Sequence, residues 1–351
     1  MDAIISYIWP GLTAFVCTLV LTKLALYLFP KVGLVDRPKK YGLLRKPIPY
    51  AGGVIFYIVF LIIAVFFMEW NAALWGVAIG SLLLLCVNFL DDIRGLSPWP
   101  RLGAQVVSAL IVVLSGVRVT NLTNPLGGTI DLSGMEMSFG IGEYMIVVSI
   151  ISLAVTVVWI MAMINTMNWL DGLNGLPSGV TFIAALTIFA LAVRPDFHYI
   201  DQTQTAILAI AVSGMALAFW IFDFAPARIL MGDTGSMFFG YMLAVLAILS
   251  GGKIATAFLV MGLPLLDFIW VIARRVSQGR SPFRGDLRHF HHRLIRAGLS
   301  ERQALLIVYM VCGAFGATAL FLGTAQKAVA LVVLAVMVAV IGGWLVLAER
   351  K

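Results

Sequence analysis

Five carboxylates fall where apolar runs break, in three connections that also carry glycine. Asp91 and Asp92 end one run in Leu90-Asp91-Asp92-Ile93-Arg94-Gly95-Leu96. Asp171 ends another in Asn168-Trp169-Leu170-Asp171-Gly172-Leu173-Asn174-Gly175, and Asp223 and Asp233 flank a third break. Adjacent carboxylates at a helix C-terminus sit at the unfavourable end of its dipole. They need a compensating cation, which a divalent metal or the nearby Arg94 would supply. Gly232-Asp233-Thr234-Gly235-Ser236, just before an apolar run, offers oxygen ligands to Mg²⁺ and helix N-terminal N–H groups to phosphate. Asn165, Asn168, Asp171 and Asn174 recur every third residue. The first three therefore share one helix face, while Gly172 and Gly175 let the chain turn and a ligand approach the backbone. An amide-lined contact between helices is the plainer alternative for this ladder.

The cationic counterpart is a segment with Arg274, Arg275, Arg280, Arg284 and Arg288, then His289-Phe290-His291-His292-Arg293. A zinc site would need further ligands at suitable spacing, and no cysteine stands near. Imidazoles among arginines suit phosphate or pyrophosphate contacts; a solvated basic loop on anionic lipid would explain the arginines but not the clustered histidines. A second basic segment, 31–46, ends in Arg45-Lys46-Pro47. It reads equally as a phosphate clamp or as positive charge on the inner membrane face. Asp267, inside an apolar run, is a functional candidate by default, with a buried ion pair to Arg274 or Arg275 as the milder reading.

These residues need elements to hold them. The chain has 351 residues, 61% hydrophobic and 12% charged, against about 25% charged in soluble domains. Lipid is therefore the solvent for most of it. Backbone groups in hydrocarbon must be satisfied internally, and runs of this length without alternation favour helices over strands. The expected fold is an all-α integral membrane protein, a single polytopic domain over 1–351. Its spans are expected at about 3–29, 51–68, 73–90, 101–119, 144–167, 178–194, 204–222, 236–250, 254–276, 303–323 and 328–348. A cleavable signal peptide is not expected, since the first run is too long and lacks a basic flank. Cys17, Cys86 and Cys312 lie inside apolar runs and read as packing residues.

Orientation follows from the placement of Lys and Arg. Nineteen of the 24 fall in connections on one side, and four on the other. That asymmetry puts the N-terminus outside and the C-terminus inside. The cytoplasmic loops are then about 30–50, 91–100, 168–177, 223–235 and 277–302, so all five acids share the inner face. The outer connection 120–143 carries short alternating runs that suit a small β-hairpin. Nucleic acid is not an expected partner; anionic lipid headgroups or an anionic substrate are. A transporter would place polar residues near the midplane on interrupted helices, whereas these gather at one end.

The motifs together resemble one family. Gly33-Leu34-Val35-Asp36-Arg37-Pro38, Pro47 to Gly53, the Asp91-Asp92 segment, Asn168 to Leu176, Pro226 to Ser236 and His289 to Leu294 occur in a single order. They are similar to the polyprenyl-phosphate N-acetylhexosamine-1-phosphate transferases, glycosyltransferase family 4. The His289–Leu294 segment and the eleventh span look like the undecaprenyl-phosphate α-N-acetylglucosaminyl 1-phosphate transferase branch, less like phospho-MurNAc-pentapeptide transferases. CDP-alcohol phosphatidyltransferases do not match, because Asp171-Gly172 is followed by Asn174-Gly175.

The resemblance implies transfer of a sugar-1-phosphate from a UDP-N-acetylhexosamine to undecaprenyl or another polyprenyl phosphate, with UMP leaving, in cell-envelope glycan synthesis at a bacterial inner membrane. It implies Mg²⁺, with Mn²⁺ as a substitute, and is compatible with a homodimer. Carried over, Asp91, Asp92 and Asp171 are catalytic-site acids. Asp233 is the principal metal ligand, with Asp91 a second candidate. Arg45 or Lys46 reaches a phosphate, and His289, His291 and His292, flanked by Arg288 and Arg293, contact the donor. Asn165, Asn168, Asn174 and Asp223 complete the substrate-binding set. Three positions depart from the family pattern: Asn174 stands for Asp, Asp223 for Asn, and Leu230 for Phe. The lipid phosphate is already mostly dianionic at pH 7, its second pKa being about 6, so Asp91 is expected to position the attacking oxygen more than to ionise it. Direct in-line attack is expected, with a phospho-Asp92 or phospho-Asp171 intermediate as the rival.

Overall fold

Among the residues described by the computed structural model, thirteen helices and four short strands form from these runs. The structure describes residues 6–36, 38, 45–124, 128–141, 144–194, 201–251, 254–279, 281 and 289–348. Helices α1 (Ile8–Lys31), α2 (Gly53–Phe67), α3 (Ala72–Arg94) and α4 (Pro98–Leu114) precede strands β1 (Asn121–Thr123), β2 (Thr129–Asp131), β3 (Glu136–Ile141) and β4 (Tyr144–Ser149). Helices α5 (Ile150–Leu170), α6 (Leu176–Ala192), α7 (Thr203–Asp223) and α8 (Gly232–Leu249) follow. The chain ends with α9 (Ile254–Val260), α10 (Gly262–Ser277), α11 (Phe290–Arg296), α12 (Glu301–Ala319) and α13 (Thr324–Ala348).

Among the described residues seven helices are long and apolar enough to cross a membrane, and an eighth span arises if α9 and α10 count as one. Three shorter apolar helices, α2, α4 and α6, stand at other expected spans. The protein is thus a multi-pass, all-α membrane chain. Two sequence expectations are corrected. The fifth span does not start at 144: residues 144–149 are strand β4, paired antiparallel with β3 (Phe139 opposite Ile146). Helix α5 begins only after Ser149, whose hydroxyl accepts the Ser152 N–H at 3.3 Å. Such an N-cap outweighs helical continuation, and Ile146-Val147-Val148 is β-branched. The expected ninth span is broken, with an 85° bend between α9 and α10. The segment around 120–149 holds two two-stranded antiparallel pairs, β1 with β2 and β3 with β4.

Helix ends near the acids have local causes. Helix α3 starts on Asn71, which caps Leu74 N–H at 2.9 Å, and stops at Gly95 in a left-handed conformation (φ 71°). Pro98 occupies the first turn of α4, where its missing N–H costs nothing. Helix α8 is buried almost along its whole length and packs against α3 and α5. Tyr241 Oη donates to Val77 O at 3.2 Å, pinning α8 to α3. The C-termini of α3, α5 and α7 and the N-terminus of α8 therefore come together, and with them Asp91, Asp92, Asp171, Asp223 and Asp233.

Candidate active site

A cavity of about 1010 Å³ opens at that end. Asp91, Asp92, Asn168, Asp171, Asn174 and Asp233 all line it. The carboxylates are not equivalent. Asp92 Oδ1 accepts the Asp233 N–H at 3.1 Å and Oδ2 the Thr234 N–H at 3.3 Å, so Asp92 caps the first turn of α8. Gly232 takes φ +73° there, and a Cβ on it would lie 2.9 Å from Asp92 Oδ2. Asp91 faces the other way. Its Oδ1 accepts the Leu96 N–H at 2.5 Å, and its Oδ2 pairs with Arg101 Nη1 at 3.0 Å.

Arg101, on α4, is the hub that sequence reasoning missed. Its Nη2 lies 2.7 Å from Asp233 Oδ2 and 3.3 Å from Asn168 Oδ1. One guanidinium therefore bridges two carboxylates and an amide from three helices. The cation paired with Asp91 is Arg101, not Arg94: Gly95 turns the chain back so that the start of α4 faces the end of α3. The available sequence signal was a lone arginine entering a span just after the acidic pair.

The asparagine ladder divides. Asn168 Nδ2 donates to Asp233 Oδ1 at 2.8 Å and to Ser236 Oγ at 3.2 Å. One turn deeper, Asn165 Nδ2 donates to Gln105 Oε1 at 2.7 Å and to Met161 O at 2.8 Å, tying α5 to α4 rather than forming the cavity wall. Asp171 follows α5 directly. Burial pushes its carboxyl well above the usual carboxylate range, and the neighbouring Asp223, Asp233 and Asp92 push in the same direction. Tyr50 was also missed. It lines the cavity and reaches Asp92. Its phenol is raised far above its ordinary value by burial first, then by Asp92, Asp233 and Asp171.

Asp223 lies behind the loop rather than in the cavity wall. Its Oδ2 accepts the Gly175 N–H at 3.1 Å and the Ser178 hydroxyl at 2.9 Å. Two of the three departures from the family pattern are thus neighbours, since Asn174 adjoins the residue that Asp223 holds. Tyr309 of α12 donates to Gly175 O and accepts from Trp220 Nε1 at 3.1 Å. Gly175 is left-handed (φ 87°), and a side chain at Gly179 would run into the Tyr309 ring. Leu230 lines the cavity, its N–H donating to Pro49 O at 2.9 Å.

The histidines approach the same loop from α11. A Cβ on Gly172 would lie 3.1 Å from His292 Nε2 and 3.2 Å from His291 Nε2. His289 and His291 are nearly parallel (5.8 Å between centroids, 5° between planes), and His291 is 4.2 Å from His292. Burial, followed by its two histidine neighbours, holds His291 well below the ordinary imidazole value. His289 is also 5.1 Å from the Trp169 ring, over which Arg275 lies at 5.0 Å. In place of the ion pair expected between Asp267 and Arg274 or Arg275, Asp267 Oδ2 makes a hydrogen bond with His289 Nδ1 at 2.8 Å. Arg293 is buried in α11, whereas Arg288 lies outside the described residues. In the first basic segment Arg45 lines the cavity but forks onto Asp36 (Nη2 to Oδ2 2.6 Å, Nη1 to Oδ1 3.2 Å). Lys46 beside it is exposed.

Among the described residues no group of three or more His, Cys, Asp or Glu could hold a metal ion. Mg²⁺ does not require one: it binds through one or two carboxylates and completes its shell with water and substrate phosphate. Asp91 and Asp233, whose carboxylates converge on one guanidinium with oxygen donors only, fit that requirement.

Comparison with known proteins agrees with this arrangement. Residues 74–251 match the model of glycosyl transferase family 4. A probable undecaprenyl-phosphate N-acetylglucosaminyl 1-phosphate transferase of Bacillus subtilis (strain 168) is 26% identical over 342 residues, covering 95% of this chain and 89% of the relative. A decaprenyl-phosphate N-acetylglucosaminephosphotransferase of Mycolicibacterium smegmatis is 30% identical over 363 residues, covering 94% and 86%. An undecaprenyl-phosphate alpha-N-acetylglucosaminyl 1-phosphate transferase of Haemophilus influenzae is 30% identical over 310 residues, covering 86% and 81%. With the family match spanning α3 to α8, the helices that build the acidic cavity, the chain belongs to glycosyl transferase family 4.

Proposed function

We propose that this protein transfers N-acetylglucosamine-1-phosphate from UDP-GlcNAc to a polyprenyl phosphate and releases UMP. The observation that carries this reading is the cavity wall, where Asp91, Asp92, Asp171 and Asp233 from three helix ends meet Arg101 at one membrane face. The names of the relatives support the acceptor and the sugar. Both substrates are anionic, so bringing them together is the main electrostatic problem. The lipid phosphate oxygen attacks the phosphorus that carries the sugar, the bond from that phosphorus to the bridging oxygen breaks, and UMP leaves with the electron pair. Asp92, tied to two N–H groups of α8, orients that helix end. Asp171, Asn168 and Asn174 face the cavity where the donor would lie. Mg²⁺ held by Asp233 and Asp91 would supply charge neutralisation to the phosphates. Arg101 would then be free for a phosphate oxygen, to which a guanidinium binds bidentately.

The same reading extends to topology: eleven spans, with α2, α4 and α6 crossing as short helices, N-terminus outside, C-terminus and site on the cytoplasmic face. The charge asymmetry of the connections supports it. The purified protein, given UDP-GlcNAc, undecaprenyl phosphate and Mg²⁺, should release UMP only when all three are present. A panel of UDP-sugars then defines the donor. UMP release that continues without the lipid, or none with any donor, overturns the reading.

A further inference from the structure

The histidine segment is anchored by a carboxylate inside the bundle. Asp267 lies on α10, in the second turn after the bend, and it is part-buried. Its Oδ2 is 2.8 Å from His289 Nδ1, and its Oδ1 accepts the Phe290 N–H at 3.0 Å. Both oxygens are therefore committed to the start of α11. A carboxylate facing one imidazole nitrogen makes that nitrogen the N–H donor and leaves the other to a ligand. Here Nδ1 is the engaged nitrogen, so Nε2 is the ring atom not committed to Asp267. The ring plane is fixed as well, between Trp169 at 5.1 Å and His291 at 5.8 Å. Trp169 stands two residues before Asp171, so this contact couples the orientation of His289 to the acidic loop.

We propose that Asp267 is a positioning residue, which accepts the Nδ1–H of His289 and so directs Nε2 toward a phosphate of the UDP-sugar, to which Nε2 donates when the ring carries both protons. A tether of α11 to α10 would need only an acceptor for the Phe290 N–H, which an amide provides equally well. What an amide cannot supply is the negative charge that holds the proton on the nitrogen facing it. The proposal rests on the functional reading above for its substrate, but not for the state of the ring.

Two measurements separate these layers. Nitrogen-15 spectra of histidine-labelled protein in lipid, with the His289 signals assigned by their loss in His289→Gln, should show Nδ1 protonated at neutral pH. In Asp267→Asn that preference should weaken. In turnover assays Asp267→Asn should lower kcat with UDP-GlcNAc by about 10–100-fold, the range by which loss of the hydrogen-bonding partner of a metal-ligating histidine lowers activity. KM for the polyprenyl phosphate should stay within about twofold, because His289 faces the other substrate. The double variant Asp267→Asn with His289→Gln should be no slower than His289→Gln alone, since groups acting through one another are not additive. An unprotonated Nδ1 in the wild type, or independent losses in the double variant, would overturn the proposal. An inactive wild type with a protonated Nδ1 would instead overturn the substrate assignment and leave the pair standing.

Discussion

Arg101 changes what the acidic residues can do. Without it, Asp91 and Asp233 would face each other with no partner of opposite charge among the described contacts of either. Preorganised donors of this kind are worth about 10²–10³ in rate. Arg101→Ala should therefore lose about 100-fold in UMP release, and Arg101→Lys should recover only part, because one ammonium cannot span both carboxylates as a guanidinium does. Turnover measured across a Mg²⁺ titration checks this. His291 gives a second residue-level expectation. Burial keeps its ring neutral in the folded chain, while an unfolded imidazole takes its proton below about pH 6.5. The unfolded state then binds more protons than the folded one, so stability falls as pH drops below that value, by up to about 1.4 kcal/mol per pH unit. Thermal unfolding of the wild type between pH 7.5 and 5 should be steeper in pH than that of His291→Gln. Equal slopes would remove the buried neutral histidine.

At the scale of elements, the site depends on helices meeting without side chains between them. A Cβ on Gly53, at the start of α2, would run into the backbone of Thr234 and lie 2.6 Å from Gly235 N. Gly53→Ala should push α2 off the first turn of α8 and with it displace Asp233. Overpacking typically costs 1–3 kcal/mol, and a lower unfolding temperature with a larger loss of activity is expected. Tyr309→Phe tests the loop instead. It removes the bonds to Gly175 O and from Trp220, worth about 1 kcal/mol each. The expected result is a small loss of stability with a several-fold fall in kcat, as Asn174 and Asp171 gain freedom. Apolar run length and glycine placement made most helices readable in the sequence, together with the gathering of the acids at one end. Strand β4 was not readable, because Ile146-Val147-Val148 continues without a polar break into α5, and only the Ser149 cap separates them. Arg101 was hidden for a different reason. Its partners lie on α3, α5 and α8, up to 132 residues along the chain, and no local spacing encodes a contact of that kind. The same holds for Asp267, whose nearest charged residues in sequence are arginines but whose partner in space is His289.

For the whole molecule, the proposed topology makes opposite ends of the bundle distinguishable from outside the cell. Ser133 lies beyond β2, at the end away from the acids, whereas Glu301 lines the cavity. In a cysteine-free background, Ser133→Cys should react with a membrane-impermeant maleimide in intact cells. Glu301→Cys should react only after permeabilisation. The reverse labelling would invert the orientation. The bridge made by Arg101 has a practical corollary at this same scale. Because the chain supplies its own counter-ion to Asp91 and Asp233, its fold should not depend on a bound divalent ion. Prolonged dialysis against a chelator should abolish turnover yet leave the unfolding temperature within about 2 °C. Returning Mg²⁺ should then restore activity within mixing time, with no refolding lag.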